Sequence, residues 1–268
     1  MTASTAASLT KIAEGREAEV FAWDAGVVLK LYRSMDLARS AEIERAAMNA
    51  VRDAGGPAPR GLDIIEIDGR PGLLMERVDG IDMLTRIGKQ PWRVFRDGSV
   101  MGRLHAMLNT AQAPVIIESL RDRLARRITQ VGTLRPDLCD RGLGALARLP
   151  DDDRLCHGDF HPGNIILTNH GPIVIDWPNA TRGDPVADFA RTALMFRLGA
   201  LPPGTPFLIR KLDRVGRWFL RSRYLASYRA KGEDVSRVGA WMLPVAIARL
   251  ADGIEEERNA LLEFIDSL

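Results

Sequence analysis

The chain is short of cysteine, lysine, net charge and long apolar runs, and each shortage excludes a class of function. Its two cysteines, Cys139 and Cys156, stand too far apart for a metal-binding or redox spacing, and neither requires an oxidising compartment. A formal net charge of +2 carries no nucleic-acid signature. No apolar stretch approaches a membrane span, so no membrane partner is expected. Residues 1–10, rich in Thr, Ala and Ser, have neither the basic start nor the apolar stretch of a signal peptide. They read as a disordered lead-in, and the expected location is the cytoplasm. Only five lysines are present, the other basic side chains being arginines, so a Lys inside an apolar strand needs explaining.

What is present is ordinary in bulk, at 46% apolar and 27% charged residues. A length of 268 residues exceeds the usual small domain and suggests two lobes with a cleft between them. The informative stretch is His157-Gly158-Asp159-Phe160-His161-Pro162-Gly163-Asn164, followed by Ile173-Val174-Ile175-Asp176-Trp177. Apolar flanks at 155–156, 165–167 and 173–175, with a turn at 169–171, predict a strand–loop–strand–turn–strand unit. Within it, Asp159 is followed five positions later by Asn164, the spacing of the kinase loop H-R-D-x-x-x-x-N. Phosphoryl transfer needs one carboxylate to orient the attacking hydroxyl and accept its proton. It also needs hard oxygen ligands for magnesium, which an Asn carbonyl and an Asp carboxylate supply. Asp159 is therefore the candidate catalytic base, and Asn164 and Asp176 are the candidate metal ligands. A zinc site on His157 and His161 fails, because i,i+4 ligation needs a helix and Gly158, Pro162 and Gly163 oppose one.

These motifs resemble the aminoglycoside phosphotransferase and choline kinase-like small-molecule kinases, which carry H-G-D-x-H-x-x-N followed by I-D-[WF]. Gly183-Asp184-Pro185 and Asp188-Phe189-Ala190 resemble the continuation G-D-P-x-x-D-L-A, and the likeness spans about residues 10–200. It implies an α+β, two-lobed protein-kinase-like fold: a small antiparallel-sheet lobe over residues 1–78 and a larger, mostly helical lobe over 79–268. It implies ATP as co-substrate, with GTP not excluded, together with Mg²⁺ and a small-molecule hydroxyl acceptor. Asp184 and Asp188 would brace the catalytic segment.

In the first lobe, Asp24-Ala25-Gly26 predicts a turn between strands at 18–22 and 27–32. Lys30, in Val28-Leu29-Lys30-Leu31-Tyr32, resembles the Lys of the kinase V-A-I-K strand and suits triphosphate oxygens as a point charge. Its orienting carboxylate is expected on a helix over 37–54. Glu44, set with Ala47, Met48 and Val51, is the choice, and Glu42 is the fallback. The segment 12–21 takes the place of a phosphate-covering loop but holds only one glycine. Residues 73–80 resemble the family hinge, placing Met75 at the mouth of an adenine pocket and the backbone of Glu76 and Val78 against the base.

In the second lobe, helices are expected over 91–108, 120–131, 138–149, 206–230, 234–249 and 251–265, with Pro244 kinking or dividing the fifth. His105 reads as a packed core His. Arg121, Arg123, Arg126 and Arg127 read as a solvated face. Asp252, Glu255, Glu256 and Glu257 suit either a cationic acceptor or a solvated helix start. Trp218, Phe219, Tyr224, Tyr228 and Trp241 suit either an aromatic cage or the core. Only seven residues separate Asp176 from Asp184, with no A-P-E, which disfavours a protein kinase. The reading is a phosphotransferase moving the ATP γ-phosphate to a hydroxyl of a small, cationic molecule. A nucleotide-binding pseudoenzyme and a protein kinase stay as alternatives, and oligomeric state is left open.

Overall fold

The computed structural model describes residues 5–198, 207–231 and 235–268, without the side chains of 207–214. Residues 1–4, Pro206 and Asp234, each part of an element expected from the sequence, lie outside the described residues. Residues 5–10 are more ordered than their composition suggests. Residues 6–8 form a 3₁₀ turn, and the Ala6 amide donates to Asp68 at 2.9 Å.

The first lobe is an antiparallel sheet of β1 (Lys11–Glu14), β2 (Ala18–Asp24), β3 (Val27–Tyr32), β4 (Gly61–Ile67) and β5 (Arg70–Glu76). Spatial order is β1-β2-β3-β5-β4, with helix α1 (Ala38–Asp53) between β3 and β4 in the chain. The segment expected as a phosphate-covering loop is therefore a strand, a turn and a second strand. The central strand β3 is covered on both faces, and period-2 alternation sorts its side chains. Leu29 and Leu31 pack with Phe21 and Ile67 on one face, while Tyr32 joins the larger core with α1. Helix α1 buries Ala41, Ile43, Glu44, Ala47, Met48 and Val51, an apolar stripe interrupted by a single carboxylate.

Residues 77–80 lead into β6 (Ile81–Asp82), α2 (Met83–Lys89), α3 (Val94–Leu108), α4 (Leu120–Gly132) and α5 (Pro136–Leu146). The chain continues through β7 (Leu155–Cys156), β8 (Ile165–Thr168), β9 (Gly171–Val174) and β10 (Thr181–Arg182). It closes with α6 (Pro185–Leu198), α7 (Phe207–Arg229), α8 (Val238–Leu250) and α9 (Glu255–Asp266). Strand β8 sits between β6 and β9, and β7 pairs with β10. The helix expected from residue 91 opens as a 3₁₀ turn before α3. Residues 251–254 turn, with Gly253 at positive φ, so α9 starts later than its periodicity implies. Helix α8 runs through Pro244 without dividing.

Two cores hold the second lobe. One joins α3 and α7 to the segment 155–177 and continues into the α1 side of the sheet, and the other packs α4, α5, α6, α8 and α9 together. Gly98 and Gly102, poor residues for a helix interior, lie where α3 meets α7. A Cβ there would come within 2.5 Å of the Leu220 carbonyl oxygen or 2.4 Å of that of Tyr224. Of the aromatic set, Tyr224, Tyr228 and Trp241 are buried in these cores, whereas Trp218 is exposed and touches Phe219. They form no cage.

Candidate active site

Lys30 lies opposite Val20 on β2 and Leu73 on β5, at the centre of the sheet. Its Nζ is 2.9 Å from Glu44 Oε1 and 2.6 Å from Asp176 Oδ1. Burial by itself would lower the Lys30 pKa, but the two carboxylates outweigh it and hold the ammonium charged. Glu44 also accepts from the Tyr32 hydroxyl and, at 3.1 Å, from the Trp177 amide. Burial and the adjoining Glu44 charge push the Tyr32 hydroxyl pKa upward, so it stays a donor. Glu42 is exposed and belongs to none of this.

Asp176 is one of two described non-glycine residues at positive φ, at 68°. Its neighbours over-determine that conformation: the Ile175 amide donates to the Asn164 carbonyl at 3.0 Å, and the Trp177 indole donates to the Val174 carbonyl at 3.0 Å. Asn164 in turn donates its side-chain amide to the Asp159 carbonyl at 3.0 Å. That fixes the amide plane and leaves the side-chain carbonyl oxygen as the atom that could ligate a metal.

The loop carrying Asp159 is held from beneath. Asp188 accepts from the His157 amide at 2.6 Å, the Gly158 amide at 2.9 Å and His105 Nε2 at 2.9 Å. Burial would raise the Asp188 pKa, but His105 and the loop amides pull it down to about 2. Arg191 donates to the Gly158 carbonyl at 2.5 Å, and Thr192 to the Phe160 carbonyl at 3.0 Å. Asp188, Arg191 and Thr192 are i, i+3 and i+4 on one helix face. Gly158 has φ 78°, and a Cβ there would stand 2.1 Å from the Asn179 carbonyl oxygen, so the loop demands glycine. His157 is buried, which lowers its pKa, and packs on Trp177. One ring nitrogen faces the Ile175 carbonyl at 3.1 Å and the other the Asp159 amide at 3.2 Å, as a neutral tautomer requires. Asp159 itself is 3.7 Å from His161 Nε2. Burial would raise its pKa, yet His161 and Arg191 bring it to about 2.

All eight candidates from the sequence, Lys30, Glu44, Met75, Glu76, Val78, Asp159, Asn164 and Asp176, line one cleft of about 920 Å³. The Glu76 carboxylate is occupied by Arg52 at 2.9 Å and the Arg60 amide at 3.0 Å, and its own amide donates to the Arg60 carbonyl at 2.9 Å.

Two expectations are corrected. The Arg run on α4 is not a solvated face. Arg121 donates to the Leu146 and Leu149 carbonyls, and Arg123 to those of Asn179 and Ala180. Arg127 reaches Asp252 and the cleft, leaving Arg126 the most exposed of the four. Carbonyls at the ends of other elements draw the guanidinium groups inward, something helical spacing does not encode. The acidic group is no unit either. Glu257 is buried against Arg249, Asp252 is bound by three arginines, and Glu255 and Glu256 are exposed. The cleft side chains missed from the sequence, Arg127, Arg191 and Arg249, come from three helices far apart in the chain.

A five-stranded antiparallel sheet and helix, joined by a short connection to a helical body and carrying Lys30, Glu44, Asp159 and Asp176 in the cleft, define a protein-kinase-like fold. The chain belongs to the phosphotransferase enzyme family, whose profile matches residues 8–231. No curated protein matches it by sequence. An apo thermostable mutant of aminoglycoside phosphotransferase APH(4)-Ia superposes with a TM-score of 0.64 at 18% identity, covering 97% of this chain and 93% of that one. Amicoumacin kinase hAmiN, in complex with AMP-PNP, Ca²⁺ and Ami, has a TM-score of 0.65 at 15% identity, with 98% and 88% covered. Macrolide 2'-phosphotransferase MphH from Brachybacterium faecium has a TM-score of 0.53 at 19% identity, with 95% and 90% covered.

Proposed function

We propose that this chain transfers the γ-phosphate of ATP, or of GTP, to a hydroxyl of a small molecule. The observation that carries the reading is the contact of Lys30 with both Glu44 and Asp176, beside a loop that presents Asp159 and Asn164 to the same cleft. In this reading Lys30 meets the triphosphate and Glu44 orients it. Met75, Glu76 and Val78 form the wall beside the base. Asn164 and Asp176 supply two hard oxygen donors, which fits Mg²⁺, an ion that keeps waters and takes further ligands from phosphates. When bound, the ion neutralises developing charge on the phosphoryl oxygens. Asp159 is ionised throughout the physiological range. It therefore orients the hydroxyl by accepting its hydrogen bond and takes the proton only as the oxygen commits to phosphorus. Residues 177–183 hold only a turn and the short β10, no platform for a polypeptide, so a small acceptor is favoured over a protein. No helix among the described residues is long and apolar enough to cross a membrane, and with both thiols free we place the protein in the cytoplasm. The test is Mg-ATP consumption against a panel of hydroxyl acceptors, by wild type and Asp159→Asn. Acceptor-dependent turnover lost in the variant supports the reading. Tight Mg-ATP binding without turnover on any acceptor would point to a pseudoenzyme, and phosphate incorporation into generic proteins to a protein kinase.

A further inference from the structure

The loop carrying Asp159 also carries His161, whose imidazole ring is held in one orientation. The Gly163 amide donates to its Nδ1 at 3.1 Å, capping the 3₁₀ turn over residues 162–164. A Cβ on Gly163 would stand 2.8 Å from the ring's Cε1, so the seat of the ring is shaped by glycine. The His161 carbonyl accepts from the Asn164 amide at 3.0 Å, which ties the ring to the same turn as the candidate metal ligand. A ring nitrogen that accepts a backbone N–H carries no proton, so the proton of the neutral ring sits on Nε2.

That N–H is uncommitted. Nε2 lies 3.7 Å from Asp159 Oδ2, beyond hydrogen-bond reach, and makes no other hydrogen bond among the described residues. The side chain is 36% exposed and lines the cleft. Other donors beside the loop are engaged: Arg191 with the Gly158 carbonyl and Asp252, and the Asn164 amide with the Asp159 carbonyl. A fixed, unspent donor next to the candidate base lies where the reacting oxygens must gather. In the transfer, the acceptor oxygen bonds to the γ-phosphorus while its proton passes to Asp159. The bond from phosphorus to the β,γ-bridging oxygen breaks, and its electron pair leaves with ADP. Charge is then spread over the non-bridging phosphoryl oxygens, where a preorganised donor acts without reorganising. We propose that His161 is a further catalytic residue, whose Nε2–H donates a hydrogen bond to a non-bridging oxygen of the transferring phosphoryl group and keeps its proton throughout. This rests on the phosphotransferase reading of the same cleft.

The test separates the two ring nitrogens. Asparagine can replace Nδ1 as the cap of the turn but is too short to reach where Nε2 does, whereas glutamine places an N–H near the Nε2 position and gives up the cap. Wild type, His161→Asn and His161→Gln, each saturated with Mg–ADP, are titrated with tetrafluoroaluminate as a stand-in for the phosphoryl group, and their thermal unfolding is recorded. His161→Asn should keep its melting temperature and bind Mg–ADP within about twofold of wild type, yet lose about 10–10²-fold in tetrafluoroaluminate affinity. His161→Gln should melt lower and retain most of that affinity. Affinity in His161→Asn equal to or above that of His161→Gln would assign the residue to capping alone and overturn the inference. So would a tetrafluoroaluminate that adds nothing to Mg–ADP in wild type. Failure of Mg–ADP itself to bind would instead remove the phosphotransferase reading beneath it.

Discussion

At one end of the cleft a single ammonium, Lys30, sits between two carboxylates; at the other, three guanidinium groups surround Asp252. The Lys30 end is assembled from β3, α1 and the second residue after β9, each contributing one side chain from a short, recognisable string. The arginine end is assembled from α4, α6 and α8, whose strings look like ordinary charged helices. Chemistry common to a family needs the same few atoms in the same place, so it leaves a motif. Side chains brought together by the packing of separate helices need no fixed spacing along the chain, so they leave no motif.

Predictions from the largest effect to the smallest sharpen that contrast. Asp159→Asn should lower turnover by about 10²–10⁴-fold while Mg-ATP binding persists, as read by steady-state kinetics alongside nucleotide titration. Turnover within a few-fold of wild type would deny Asp159 the role of base. Because Asp159 is held at about 2, kcat/KM should show no loss attributable to this carboxylate from pH 7 down to about pH 4.

Asp188→Ala should cost about 3–5 kcal/mol of stability, since it strands His105 and two loop amides at a buried site. Denaturant unfolding measures this. The folded-state pKa of Asp188 lies below its unfolded value, so its contribution is fully present above the unfolded pKa. It is lost as pH falls from about 4 towards the folded value of about 2. Asp188→Asn should flatten that part of the stability curve.

Asp176→Ala should raise the Mg²⁺ concentration needed for half-maximal turnover, whereas Lys30→Ala should chiefly raise KM for ATP. Titrating Mg²⁺ at fixed ATP separates them, and an unchanged metal requirement in Asp176→Ala would contradict its assignment as a ligand. The smallest effect belongs to Glu255→Gln combined with Glu256→Gln. Both side chains are exposed, so KM for any acceptor should stay within about twofold of wild type. A larger salt-sensitive rise would bring the acidic helix start back into acceptor recognition.

Legibility followed how local the determining interactions are. Lys30 could be read because a charged residue interrupts an otherwise apolar strand. Asp159, Asn164 and Asp176 could be read because their spacing is set within one strand–loop–strand unit. The core placement of His105 was legible from its apolar face, but its bond to Asp188 was not, because the partners are 83 positions apart. Arg191 left a faint signal, three residues after Asp188 on a helix marked by Asp184-Pro185. The lead-in, the inward turn of the α4 arginines and the breakup of the acidic cluster left none. Each depends on a partner supplied by a distant element: Asp68 for Ala6, the Asn179 and Ala180 carbonyls for Arg123, Arg249 for Glu257.

The sequence by itself determined the fold class and picked out Lys30, Asp159, Asn164 and Asp176, because each rests on periodicity or on spacing along a few residues of chain. Only the tertiary structure decided which glutamate meets Lys30, which arginines enter the cleft and what charge the second wall presents. Those outcomes depend on which helix faces pack together. A charged side chain's role is settled by the distant carbonyls and carboxylates that packing brings within reach.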